Sequence, residues 1–132
     1  MFTVDKKFPD FSLPAYFPAR GEDGRVALAD FSGKWLILFW YPADFTFVCP
    51  TELADLQQRL DEYRALDAEV LGASTDTIYT HKGWVDHEEL LHDLADPLAA
   101  DHSGQFAREL GSCDEVSGMA RRAAIARAFA VQ

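Results

Sequence analysis

The chain has 132 residues, 48% of them hydrophobic, and a formal net charge of −10 at pH 7. That length supports one domain around a single core and not two. The acidic balance is spread along the chain instead of gathered in a tail, so nucleic acid and anionic membranes are excluded as natural partners. The opening MFTVDKKFPD has no long apolar run. No segment nears the roughly 20 apolar residues that cross a bilayer, so the expected location is the cytoplasm.

From the N-terminus, residues 1–20 alternate Phe with Pro, as in FPDFSLPAYFP, and predict an extended arm packed on the domain. Glu22-Asp23-Gly24 reads as a turn, and VALADF as a short strand or turn leading to Gly33. WLILFWY, residues 35–41, is an unbroken apolar run, the pattern of a strand buried on both faces of a parallel sheet. Pro42 ends it. After Pro50, the three- and four-residue steps of Leu53, Leu56, Leu60, Tyr63 and Leu66 predict an amphipathic helix.

AEVLGAST, residues 68–75, predicts a second buried strand, and residues 80–94 a helix with Leu90, Leu91 and Leu94 on its apolar side. PLAAD, residues 97–101, suits a short third strand. Ser103 to Leu110 suits a short helix closed by Gly111. The Ala-rich end, MARRAAIARAFAVQ, favours helix by propensity. Alternating strands and helices define an α/β class with a largely parallel sheet.

The two cysteines, Cys49 and Cys113, form no C-x-x-C pair. In a reducing compartment that favours catalytic or redox chemistry over a structural disulfide. The four histidines (His81, His87, His92, His102) are scattered and lack zinc-ligand spacing, so no metal is expected.

Cys49 lies where a buried strand gives way to a helix. The N–H groups and partial positive charge of a helix start stabilise a thiolate, the reactive form of cysteine. Thr46 can set a hydroxyl beside the sulfur, and Pro42 fixes the turn. Phe45, Phe47, Trp40 and Tyr41 would limit water access. Each residue also has a plainer reading: an inert packed cysteine, a capping threonine, and Glu52 as a first-turn helix acid.

FWYPADFTFVCPTE resembles the active-site segment of the peroxiredoxins, in particular the alkyl hydroperoxide reductase C and thiol-specific antioxidant group. Pro42, Thr46 and Cys49 match the group's Pro-x-x-x-Thr-x-x-Cys pattern. FPDFSL, LADFSGKWLILFWYP, EVLGASTDTIYTHKGW and DPLAADHSGQFARELG extend the likeness over roughly residues 8–122. The resemblance implies a thioredoxin-like fold, a central mixed sheet flanked by helices. It implies reduction of hydrogen peroxide and organic hydroperoxides at Cys49 through a sulfenic acid, with Thr46 aligning the oxygens. It implies electrons from a thiol donor, thioredoxin-like or a small thiol, with no metal or organic cofactor, and a homodimer or higher oligomer. The arginine that follows a Gly-x-x-x step in the group matches Arg122, after Gly118, with Arg121 and Arg127 as competitors. Glu52 matches the acid that holds that arginine.

Two departures accompany the match. The group continues past its arginine with a strand, a hairpin partner, a closing helix and an arm carrying a resolving cysteine. AAIARAFAVQ is a weak substitute, so a C-terminally shortened single domain over residues 1–132 is expected, with an exposed sheet edge. Cys113 is then either a local resolving thiol or a bystander, with the bystander favoured. The alternative to a peroxidase is a catalytically weak relative acting as a chaperone-like or partner-binding module. A thioredoxin-like disulfide reductase ranks lower, for want of C-x-x-C. His81, near a helix start, could touch the site, with capping or solvation favoured; Trp84 is read as core, and Asp76 and Asp101 as caps of turns and helices in preference to a carboxylate pair.

Overall fold

The computed structural model describes residues 8–45 and 49–128, with Cys49, Arg127 and Ala128 as backbone alone. These residues form a six-stranded mixed sheet flanked by helices. The strands are β1 (Ser12–Phe17), β2 (Glu22–Ala27), β3 (Trp35–Trp40), β4 (Ala68–Ser74), β5 (Leu98–Ala100) and β6 (Ala123–Ala128), in spatial order β2-β1-β5-β4-β3-β6. β3 and β5 run parallel to β4, whereas β1–β2, β1–β5 and β3–β6 are antiparallel. The helices are α1 (Cys49–Gln58), α2 (Leu60–Ala65), α3 (Ile78–His87) and α4 (Gln105–Glu109).

The N-terminal segment is more regular than its prolines predict. Residues 12–17 form β1, hairpinned to β2 with Ser12 opposite Ala27 and Phe17 opposite Glu22. Pro14 is tolerated because β5 pairs only with Ala15 and Tyr16. The turn falls at Pro18–Gly21 and not at Glu22–Gly24, because Gly21 supplies the positive φ of 63° that closes it. The residues of the predicted arm before Phe8 lie outside the described residues.

The apolar run 35–41 is a strand through Trp40, but only one face is fully covered. Leu36, Leu38 and Trp40 are buried, while Trp35 is 49% exposed. On the open side, Trp35, Ile37, Tyr63, Leu66, Ala68 and Ala126 line a furrow of about 450 Å³. The strand buried on both faces is β4, set between β3 and β5.

One core cluster fills a face with Phe8, Phe11, Leu36, Leu38, Trp40 and Phe106, where Phe11 stacks on Phe106 at 4.6 Å. The other face holds Tyr41, Leu53, Trp84, Leu91, Leu94 and Leu98. Trp84 is therefore core, as expected. Gly72 allows close packing there: a Cβ would stand 2.8 Å from a Leu98 methyl and 3.4 Å from a Leu53 methyl.

The predicted helix over 52–66 divides at Arg59, where φ −102° and ψ 7° replace helical values and the N–H turns back to Leu56. The predicted helix over 80–94 starts earlier, with Thr77 as its cap, and ends when Glu88 becomes extended. A short 3-10 turn at Glu89–Leu91 shifts the phase, burying Leu91 and Leu94 and leaving Leu90 53% exposed. Asp101 caps α4, accepting from the N–H groups of Ala107 (2.8 Å) and Phe106 (3.3 Å), and Gly111 follows its end.

Residues 123–128 are strand β6, not helix. Each pairs with β3, from Ala123 opposite Trp40 to Ala128 opposite Trp35. The open edge of β3 outweighs alanine's helical preference, which is a weak bias against a full ladder of hydrogen bonds. Residues 129–132 lie outside the described residues.

Asp96 is 1% exposed, and its Oδ2 has no hydrogen-bond partner. Burial pushes its pKa from 3.8 up to about 7, against the attraction of Arg64. The unfolded carboxyl loses its proton near 3.9, so between about pH 4 and 7 the folded chain holds the extra proton and stability falls as pH rises. The full span corresponds to at most about 4 kcal/mol. Asp96→Asn is expected to flatten the decline of melting temperature between pH 5 and 8. Equal slopes in variant and parent would rule this assignment out.

Candidate active site at the start of the first helix

β3 delivers the chain to one end of the sheet. Tyr41 continues its pairing, its N–H donating to the Ala73 carbonyl at 3.0 Å. Pro42 follows as a half-buried bend, and the chain re-enters regular structure at Cys49, the first residue of α1. Pro50 suits this first turn, where an N–H would have no helical partner. The backbone of Cys49 thus lies at the positive end of the helix dipole, which favours a thiolate. The Cys49 side chain, Thr46 and Phe47 lie outside the described residues.

Arg122 immediately precedes β6, and Ala123 faces Trp40 at the end of β3. The register therefore brings Arg122 to the sheet end where α1 begins. Its Nε donates to Glu52 Oε2 in the first turn of α1 at 3.0 Å and lies 2.9 Å from Oε1. This is the pairing that the resemblance implies. Arg121 is exposed, and the Arg127 side chain lies outside the described residues.

Cys113 is a free thiol buried in the first core cluster, with Sγ 3.8 Å from the Asp114 carbonyl and its backbone bridged to Ala120. Of the four histidines, His87, His92 and His102 are exposed.

The largest correction concerns His81. It is neither solvated nor a cap but fully buried, its Nδ1 2.6 Å from Asp44 Oδ2 and its Nε2 2.9 Å from the Ala99 carbonyl. The hydroxyl of buried Tyr41 donates to the other oxygen of Asp44 at 2.6 Å. The Asp44 N–H donates to Asp76 Oδ2 at 2.8 Å, and the Ser74 hydroxyl to the same oxygen at 2.7 Å. Asp76 thus holds a turn, as expected, while Asp44 went unnoticed.

Burial raises the Asp44 pKa, opposed chiefly by its hydrogen bond to His81. Burial, followed by the charge of Asp44, pushes Tyr41 well above its usual value. Asp44, Asp76 and His81 place three potential metal-ligand atoms within 4.8 Å of one another. Both Asp44 oxygens, Asp76 Oδ2 and both His81 nitrogens already take part in hydrogen bonds within the fold. Among the described residues, no helix is long and apolar enough to cross a membrane.

A sequence model described as the AhpC/TSA family matches residues 4–126. The chain is 45% identical over 124 residues to YkuU of Bacillus subtilis, covering 90% of this chain and 68% of that protein. It is 39% identical over 122 residues to alkyl hydroperoxide reductase C of Staphylococcus epidermidis, covering 92% of this chain and 65% of that enzyme. The fold superimposes on the crystal structure of Enterococcus faecalis AhpC with a TM-score of 0.91 at 44% identity, covering 97% of this chain and 75% of that one. Against the reduced 2-Cys peroxiredoxin of Plasmodium vivax the TM-score is 0.88 at 30% identity, with 96% and 78% covered.

The chain belongs to the AhpC/TSA family, the peroxiredoxin class of peroxidases, and its sheet and helices have the thioredoxin-like arrangement of that class. It spans about two thirds of the length of these curated relatives.

The Arg122–Glu52 pair is largely open to solvent, with side chains 45% and 27% exposed. Such pairs contribute little stability. Glu52→Ala is expected to lower unfolding stability in urea by less than about 1 kcal/mol. A loss above about 2 kcal/mol would make the pair a structural fastening.

Proposed function

We propose that this chain reduces hydrogen peroxide and organic hydroperoxides, with Cys49 as the attacking sulfur. The observation that carries the reading is the convergence of Cys49, first in α1, with Arg122 held against that helix's first turn by Glu52. The Cys49 thiolate attacks the terminal peroxide oxygen. An S–O bond forms as the O–O bond breaks, and the departing oxygen leaves as water or alcohol after taking a proton. Sulfur is oxidised by two electrons to a sulfenic acid and the peroxide is reduced by the same two.

Arg122 supplies a fixed positive charge for the thiolate and for the charge developing on the peroxide oxygens. Thr46 and the Cys49 N–H align those oxygens with the sulfur, and Pro42 shapes the turn that shields them. A thiol donor, thioredoxin-like or small, then attacks the sulfenic sulfur, releasing water and forming a mixed disulfide that a second thiol reduces. Cys113 is buried among core side chains, and external resolution is the reading it supports. Self-association as a homodimer or higher oligomer and a cytoplasmic setting belong to the same reading. The relatives carry enzyme names, which favours catalysis over a partner-binding module.

Cys49→Ser is expected to abolish peroxide consumption and the trapping of a sulfenic acid by dimedone. Arg122→Ala should slow Cys49 oxidation by about 100-fold, with little change in melting temperature. Peroxide turnover that survives in Cys49→Ser would overturn the assignment.

A further inference from the structure

Eight residues separate the end of β3 from Cys49, and one of them is fastened on all sides. The Asp44 side chain is wholly buried, one oxygen against the Tyr41 hydroxyl and the other against His81, while its N–H reaches Asp76. Through His81 the loop is tied to α3 and to the Ala99 carbonyl on β5, and through Asp76 to the end of β4. Burying a carboxylate is costly, and a buried polar pair often stabilises no more than apolar side chains of similar size. What such a pair gives in return here is a fixed place for the chain.

The next residue shows why a fixed place is required. Phe45 has φ 62°, the left-handed region that a bulky side chain enters only under constraint. Its ring is 55% exposed, with the His87 ring beside it at 6.1 Å between centroids. On its N-terminal side this backbone is held by Asp44, anchored as above. Thr46 follows directly, and Cys49 comes three residues later.

We propose that Asp44 and His81 are positioning residues for the reaction at Cys49: their buried hydrogen bond, completed by Tyr41, fixes residues 41–45, from which the chain leads to Cys49. The inference rests on the reading of Cys49 as the peroxide-reactive thiol. Its requirement is shape. Because Nε2 of His81 faces a carbonyl, which only accepts, that nitrogen carries a proton. An asparagine at position 44 can then accept from Tyr41 through its oxygen and donate to Nδ1 of the neutral ring through its nitrogen.

The test compares two reactions of Cys49 in the full chain, each followed on the Cys49 peptide by mass spectrometry. Oxidation by hydrogen peroxide requires the aligned loop. Alkylation by iodoacetamide requires a thiolate and access. Asp44→Ala and His81→Ala are expected to slow oxidation by about 10- to 100-fold and to leave alkylation within about twofold. Asp44→Asn should restore oxidation to within about threefold of the parent. Tyr41→Phe removes one hydroxyl and should slow oxidation by about threefold, which keeps the test open if the alanine variants do not fold.

Oxidation at the parental rate in all folded variants would overturn the inference and leave the peroxidase reading standing. So would a parallel fall in both reactions, or an Asp44→Asn as slow as Asp44→Ala. A parent chain whose Cys49 does not react with peroxide would overturn both.

Discussion

A carboxyl group with no access to water, Asp44, lies between a phenol and an imidazole, and the end of the molecule that carries the candidate site is built around it. Each contact runs to a different element: Tyr41 prolongs β3, His81 is on α3, Ala99 is in β5, and Asp76 follows β4. The strand ends and helix that surround the loop are thereby held by one short set of hydrogen bonds. Such a set is stable only when every member is satisfied, and here the Asp44 and His81 atoms have partners.

Around this point the fold supplies position and charge by separate means. The parallel β3–β4 pair, covered on one side by stacked phenylalanines and on the other by Trp84 and the leucines, sets where β3 stops. The helix that follows supplies a fixed dipole at Cys49. The antiparallel return of β6 supplies a cation from a distant part of the chain, since Arg122 is 70 residues from Glu52 in sequence. A large rearrangement is not required to join them, because the β3–β6 register already brings their backbones to the same end.

Much of this was legible in the residues, and the exceptions have physical causes. Pro42, Thr46 and Cys49 form a spaced pattern within one short segment, and the apolar runs at 35–40 and 68–74 announce strands. Periodicity could not show that Glu88 and Arg59 would interrupt helices, since neither Pro nor Gly marks those places. β6 was misread because alanine content reports local preference, whereas the strand forms on the edge that β3 offers, a tertiary effect. His81 was misjudged because its partner lies 37 residues away, and nothing in a single chain marks a buried histidine from an exposed one. The available signal was Asp44 itself, an acid set among aromatic residues within an otherwise apolar approach to Cys49.

Gly72 carries a consequence for how finely α1 is seated. At its position in β4 there is space for a hydrogen and no more, with the methyls of Leu53 and Leu98 meeting over it. Leu53 is four residues beyond Cys49 on the same helix. The closer of the two methyls belongs to Leu98, at 2.8 Å from where a Cβ would stand, against 3.4 Å for Leu53. One added carbon at residue 72 would therefore press first on β5 through Leu98, and only what that side chain could not absorb would pass through Leu53 to the sulfur-bearing helix.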